Sequence, residues 1–404
     1  MPAFYKVLEL NMNFTYNHTK LACYTSYATS AIASNFPPVL FIIFQREFGL
    51  SLSALGTLIS LNFGVQLLAD MLGARYVNKI GHRACAVFAN LSVAAGVIFM
   101  GILPHALAKS FIGFAIATIT YAFGSGLLEV LISPIVEAIP GDKKSADMSF
   151  LHSFYCWGQL AAILVTTLFI HLSGSNNWQM ICFFWSAVPL FAAALFCKVP
   201  IATLSGDERK SNASIFKNKM FFVFLLLMTA SGASEIVVSQ WSSLFAETTL
   251  GLSKTAGDLF GPCMFALLMG LGRIFYAKYS TKIVLSDYIM LCGGLCVLSY
   301  LVMSFVPNNY VSLASIGVVG FSVSVMWPGV LSLASAKFPR GGTAMFAYLA
   351  IFGDIGCTLG PGVAAIFSEK LTLGGSALRG GIAVCIVFPI LVVILTYIIK
   401  KMRS

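Results

Sequence analysis

The sequence predicts an all-α membrane protein whose twelve transmembrane helices form two pseudo-symmetric six-helix bundles. Three observations carry that prediction. The 404-residue chain is 58% hydrophobic and only 10% charged, with a mean hydropathy of +0.88; a water-soluble fold of that composition would expose apolar surface and aggregate. Twelve apolar stretches each reach the ~20 residues that cross a hydrocarbon core of ~30 Å. Lysine and arginine collect in alternate gaps between those stretches, the bias that marks cytoplasmic loops.

Taken in order, the first span, 20–44, opens behind Lys6 and Lys20 and ends in an outer gap at Arg46. The second, 52–73, delivers the chain to an inner gap with Arg75, Lys79 and Arg83. Spans 84–103 and 110–136 turn outside at Lys109 and return to Lys143 and Lys144. Spans 150–172 and 178–197 lead to the longest hydrophilic connection, which holds Lys198, Arg209, Lys210, Lys217 and Lys219. Spans 220–245 and 255–276 have Lys254 outside and Lys278 and Lys282 inside. Spans 286–306 and 309–332 end at Lys337 and Arg340. The last pair, 343–367 and 380–399, encloses Lys370 and Arg379 and finishes in Lys400, Lys401 and Arg403. Eleven or thirteen helices would scramble this alternation. Both termini are then cytoplasmic, and the compact loops and short tails point to a multi-pass protein of a bacterial inner membrane, read as a monomer. The polar first residues lack the pattern of a cleaved signal peptide, so the first span serves as the insertion signal. The central connection divides the chain into an N-terminal bundle (1–198), a cytoplasmic linker (199–219) and a C-terminal bundle (220–404), the arrangement of transporters that rock about a midplane site.

The net charge of +10 is thus topological. No basic stripe with interleaved aromatics suggests nucleic acid, and anionic lipid headgroups are the natural partners of the loops. The ten cysteines lie mostly singly within apolar spans without His or acidic companions at ligand spacing, so neither a disulfide framework nor a metal site is implied. No nucleotide-binding loop or catalytic motif occurs. The chain is not read as an enzyme, needs no cofactor, and must draw any driving force from an ion or solute gradient.

Acids inside spans are costly and mark functional sites. Asp70, Glu129, Glu137, Glu235, Asp258 and Asp354 lie within or at the edge of spans. Asp70 and Glu137 stand near cytoplasmic ends beside Arg75 and Lys143, where interfacial anchoring is the expectation; Asp258 lies near an outer end, where water can reach it. Glu129, Glu235 and Asp354 are deeper. Glu129 follows Gly124-Ser-Gly126-Leu-Leu and precedes Pro134, in a setting suited to binding and releasing a proton. The alternative is a buried acid permanently paired with a basic residue or hydroxyl, and among spans Arg273 is the exceptional basic residue. Glu235 heads a polar run with Ser231, Ser234, Gln240, Trp241, Ser242 and Ser243; carboxylate, hydroxyls and an aromatic plate on one helix suit a polyhydroxylated solute, and a helix–helix polar contact is the bland alternative. Asp354, among Gly353, Gly356 and Thr358, has the surroundings to hold Na⁺ as readily as H⁺. His152, Trp157 and Gln159 open the fifth span, and Trp327-Pro328 sets an aromatic beside a kink in the tenth; a lone His is more often structural, and Trp327 suits a cavity wall or ordinary packing equally.

These segments resemble the major facilitator superfamily, and within it the fucose–proton symporter branch of sugar permeases. Gly124-Ser-Gly126-Leu-Leu-Glu129-Val-Leu-Ile-Ser133-Pro134 is similar to that branch's fourth-helix G-x-G-x-L-E-x-x-x-N-P, with Ser133 in place of Asn. Phe150-Leu-His-Ser-Phe, Gly232-Ala-Ser-Glu235, Gly272-Arg273 and Met326-Trp327-Pro328 fall at corresponding places. Asn78-Lys79-Ile-Gly81-His82-Arg83 resembles the signature between the second and third helices, with Asn78 where the family prefers Asp. The resemblance implies that Glu129 is the protonatable residue of the cavity, and that Asn78, Gly81 and Arg83, with Asp70 standing in for the missing acid, form the cytoplasmic gate. The branch's first-helix Asp is absent; Asn35 is the nearest polar substitute, so fucose itself is not implied.

The reading is a secondary active transporter that moves a small polar solute, a sugar, by alternating access coupled to H⁺ or Na⁺. Asn35, Gln159, Glu235, Gln240, Trp241 and Trp327 are the expected solute ligands, and Glu129, Glu235 and Asp354 the cation-coupling acids. The alternative is a proton-coupled exporter of amphipathic compounds, which the 34 Phe and 15 Met keep open.

Overall fold

A computed structural model describes residues 14–140, 144–202, 218–279, 282–338 and 342–402. Sixteen α-helices make up the spans: α1 (Tyr16–Val39), α2 (Phe41–Phe48), α3 (Leu52–Ile80), α4 (His82–Ala106), α5 (Ser110–Ala138), α6 (Lys144–Ser173), α7 (Trp178–Lys198), α8 (Lys219–Thr248), α9 (Lys254–Asp258), α10 (Met264–Tyr279), α11 (Leu285–Phe305), α12 (Asn309–Val323), α13 (Met326–Lys337), α14 (Gly342–Lys370), α15 (Ala377–Cys385) and α16 (Val387–Lys401). Among the described residues eleven helical segments are long and apolar enough to cross a membrane, and the pair α1–α2, bent by 49°, makes the twelfth. Among the described residues extended pairing is confined to one bridge, Leu373 with Ser376.

Four spans are interrupted, and each break has a local cause. Pro37 and Pro38 lack N–H groups for the ladder, so α1 ends beyond them and α2 resumes at an angle. The eighth span runs α9, a π-turn at Leu259–Cys263 containing Pro262, then α10. The tenth breaks between α12 and α13 just before Trp327-Pro328, and the twelfth breaks at Ile386, three residues before Pro389. Elsewhere the helix ends are capped in the usual way: Ser51 accepts from Ala54 N–H, Ser253 from Ala256 N–H and Asn308 from Tyr310 and Val311 N–H.

Helices before and after the central connection pack mainly among themselves: α4 with α5 and α7, α1 with α6, and α3 with α5; then α8 with α14, α12 with α10 and α11, and α11 with α16. The two groups meet along α3 and α14 and along α6 with the eighth span. Two glycines set the packing that matters most. A Cβ on Gly126 of α5 would lie 2.5 Å from the Gln66 carbonyl oxygen of α3, and one on Gly356 of α14 would lie 2.0 Å from the Thr229 oxygen of α8. Helix backbones approach this closely only where no side chain intervenes.

Successive spans alternate in direction, so the helix ends at Lys79, Lys198, Lys278, Lys337 and Lys401 fall at one face of the bundle. Toward the far face the two groups are sealed by direct bonds. Ser53 N–H donates to Glu369 Oε1 (2.9 Å), Ser60 Oγ to Thr358 O (2.9 Å), Gln159 Nε2 to Ser239 Oγ (3.3 Å) and Gln240 Nε2 to Ser34 O (3.4 Å). Asp258, expected to be solvated, is fully buried in this seal. Its carboxylate pairs with Lys254 (2.5 Å) and accepts from Thr167 (2.9 Å) and Ser243 (2.5 Å); these partners exclude the water that position alone would suggest.

Candidate functional site

Three carboxylates converge between the two groups. Asp70 of α3, Glu129 of α5 and Asp354 of α14 each bring one oxygen within 4.8 Å of the others. They lie about 14–18 Å along their helices from the basic face, at 1.5 Å per residue. The close passes at Gly126 and Gly356 set these helices near enough for short acids to meet. The Asp70 and Asp354 carboxyl groups face each other at close range, and Asp70 Oδ1 is buried without a partner. Two carboxyl groups can bond directly only if one carries a proton, because an ionised carboxylate has nothing to donate. The arrangement is chemically a proton store, or with its oxygens turned inward a three-carboxylate seat for a small cation.

One expectation is corrected here. Asp70 is not an interfacial anchor beside Arg75: α3 continues to Ile80, and the extra turns place Asp70 at the depth of Glu129. The Thr358 hydroxyl donates its proton to the Asp354 backbone carbonyl (2.8 Å), and its oxygen lone pairs remain as acceptors. Glu235 stands apart from the triad, on α8, where the charge it feels is Arg273 of α10.

A second polar group surrounds that pair. Glu235, Arg273, Tyr27 and Tyr155 are each partly accessible, unlike the sealed residues toward the far face. Asn35 donates to Ala31 O (2.8 Å) and meets the Tyr155 side chain. Arg273 Nη1 donates to Cys156 Sγ (3.1 Å). Tyr27 lies within electrostatic range of both Glu129 and Arg273. Gln159 and Gln240 lie just beyond, spent on inter-group bonds to Ser239 and Ser34.

The aromatic candidates divide. Trp241 is fully buried, its indole N–H aimed at Pro361 O (3.3 Å) and its ring 5.9 Å from that of Phe41. It belongs to the seal and offers no open stacking face. Trp327 is half-buried and lies against Gly353, where a Cβ would fall 2.2 Å from its ring, so it covers the backbone next to Asp354. Beside the seal a residual cavity of about 10 Å³, bordered by Ser34, Asn62, Thr118 and Gln240, has room for about one water.

Of the proposed gate, Gly81 turns the chain between α3 and α4 with φ +104°, a conformation that favours glycine. Arg83 donates to the carbonyl oxygens of Phe196 and Val199 (both 2.8 Å), tying α4 to the end of α7. The side chains of Asn78, Glu137 and His152 lie outside the described residues. Sequence reasoning singled out neither Tyr27, Tyr155 nor Cys156. A tyrosine in mid-span was the available signal, since its hydroxyl needs a polar partner there.

A family model for the Major Facilitator Superfamily matches residues 23–361. The chain is 21% identical over 290 residues to the glucose/mannose transporter GlcP of Bacillus subtilis (strain 168), covering 66% of this chain and 69% of that protein. It is 24% identical over 188 residues to the uncharacterized transporter YwbF of the same organism, covering 45% and 46%. The crystal structure of a D-xylose–proton symporter superposes with a TM-score of 0.80 at 14% identity, covering 96% of this chain and 97% of that one. The nucleoside transporter NupG superposes with a TM-score of 0.72 at 13% identity, covering 96% and 98%. At such identities the structural likeness speaks for the fold alone, but the family model covers most of the sequence and the helical architecture agrees with it: the chain belongs to the major facilitator superfamily.

Proposed function

We propose that this transporter moves a small polar solute of the sugar class by alternating access, coupled to H⁺ through Asp70, Glu129 and Asp354. As a member of its superfamily it is a multi-pass membrane transporter rather than an enzyme. The observation that carries the coupling reading is the triad's membership: two acids come from the group before the central connection and one from the group after it. Any movement of one group against the other therefore breaks up or assembles the proton site. Charging all three acids at once in a low-dielectric interior is costly, so the assembled triad favours the protonated state and the parted one releases it. That is the thermodynamic link a symporter needs.

Solute binding is assigned to the neighbouring group of Asn35, Tyr155, Glu235 and Arg273, with Trp327 as a wall and with Gln159 and Gln240 freed when the far seal opens. The sugar class draws support from the relatives named for glucose/mannose and xylose transport and from the hydroxyl, amide and carboxylate groups in this cluster. The basic face is assigned to the cytoplasm on charge distribution, residues 199–219 are assigned as the linker between two six-helix domains, and the protein is assigned to work as a monomer. Na⁺ in place of H⁺ at the triad is the competing coupling scheme, since three carboxylates also suit a hard cation.

The test is uptake of a radiolabelled sugar panel into proteoliposomes with H⁺ and Na⁺ gradients imposed separately. Accumulation of a sugar under the H⁺ gradient, lost in Glu129→Gln, supports the proposal. Accumulation under Na⁺ alone transfers the triad to sodium, and absence of uptake under either gradient, in folded protein, favours export of an amphipathic compound.

A further inference from the structure

We infer that the solute carries one carboxylate, received by Arg273, so that the cargo is a polyhydroxylated monoacid of the sugar-acid kind; this rests on the transport reading above. Arg273 projects from α10 into the cluster between the two groups. Its five N–H donors are rigidly arranged and it keeps its charge under all ordinary conditions. Among the described residues Nη1 donates to the Cys156 sulfur (3.1 Å), Nη2 approaches the Met269 sulfur at 4.0 Å, and Nε is buried without a partner. Thiol and thioether sulfurs are weak acceptors. Glu235 is within electrostatic reach, yet the ion pairs among the described residues do not include these two.

The contrast with other arginines of this chain is direct. Arg379, buried in α15, donates to the Met303 and Val306 carbonyls (2.8 and 2.6 Å) and approaches Ser312 Oγ (3.5 Å). Arg83 holds two carbonyls. Both are satisfied by oxygen, as structural arginines are. Arg273 alone of these three spends its charge on sulfur, although it faces partly accessible groups. A buried cation left in this state is costly, and the fork of a guanidinium fits a carboxylate with two parallel bonds.

The surroundings set the rest of the class. Glu235 and the Asn35–Tyr155 pair supply acceptors and donors for hydroxyls on the same molecule. One guanidinium balances one negative charge; a dianion such as a phosphate monoester would leave excess charge facing Glu235 and Glu129. The arrangement also joins cargo to coupling: each proton held at the triad removes negative charge near the cluster and so favours an incoming anion.

The full chain in detergent, checked for monodispersity, is assayed for direct binding of D-glucuronate, D-galacturonate and D-gluconate against D-glucose, D-galactose and D-glucitol. Counterflow of the same probes is measured in proteoliposomes. At least one acid is expected to bind about tenfold or more tightly than its neutral partner; Arg273→Gln removes that preference and Arg273→Lys keeps part of it. Neutral partners binding as well as the acids, no acid binding to folded wild-type protein, or acid binding unchanged in Arg273→Gln overturns the inference. Counterflow of neutral sugars alone overturns it while leaving transport intact. Acid binding without counterflow supports the Arg273 site and overturns the transport reading.

Discussion

Asp70 and Asp354 face each other across the seam between the two helical groups, with carboxylate oxygens within 4.8 Å. One acid comes from the second span and the other from the eleventh, with Glu129 close enough to join them. A proton held between these acids would tie the two helical groups together. That dual character leads to distinct expectations for each member.

Glu129→Gln keeps the volume and a hydrogen-bonding head but removes the titrating group. Solute accumulation driven by a pH gradient should be abolished, while counterflow, which needs no net proton movement, remains measurable. Uptake assays in proteoliposomes with and without a pH gradient decide it, and accumulation that survives the substitution removes Glu129 from the coupling role.

Asp354→Asn supplies an amide that can still donate to Asp70. Thermal melting in detergent should shift by only a few degrees, since about 1 kcal/mol of hydrogen bonding is retained or lost, yet gradient-driven accumulation should fall as far as in Glu129→Gln. A large loss of melting temperature with normal coupling would make Asp354 a structural acid.

Gly356→Leu forces a side chain into the space held by the Thr229 oxygen, 2.0 Å from the position of a Cβ. Overpacking of this kind costs about 1–3 kcal/mol or more. The melting temperature should drop, and because α14 carries Asp354, residual protein should couple poorly. Unchanged stability would mean that α8 and α14 separate easily.

Asp258→Ala removes the centre of the far seal. Lys254 then keeps one ionic partner, Glu247 (3.3 Å), beside a contact with Ser243 Oγ (3.4 Å); Thr167 loses its acceptor, and Ser243 is left with Glu247 Oε1 at 3.5 Å. Breaking a buried pair costs about 3–5 kcal/mol, with the lower end expected because Lys254 retains one partner. Unfolding monitored in detergent should show the loss, and a cysteine placed at Thr167 should label more readily from the far side in the Asp258→Ala background.

The spans were legible because length and charge alternation are properties of the chain read one residue after another. Helix α8 and the span 220–245 nearly coincide for that reason. The apolar run of the second span stops before its helix does, since Arg75 and Lys79 can extend their stems toward water while the backbone stays helical; this is why Asp70 looked like an edge residue. The kink beside Trp327-Pro328 was visible in the proline, whereas the π-turn around Pro262 was not. Convergence of Asp70, Glu129 and Asp354 depends on three helices meeting, which no spacing along one of them encodes. The partners of Asp258 lie on three different spans, so its burial was hidden in the same way. Trp241 failed as a solute plate because helix-face arithmetic gives direction but not what stands opposite, here Phe41 and Pro361.

The interrupted spans are unevenly distributed. Among the described residues, the helices up to Lys198 contain one break, at the α1–α2 bend, and those from Lys219 contain three, in the eighth, tenth and twelfth spans. An unbroken hydrogen-bond ladder is a stiff rod, and each gap in it is a compliant joint. The last six spans therefore carry most of the compliant joints, and any bending of the helices is expected chiefly on the Asp354 side of the seam.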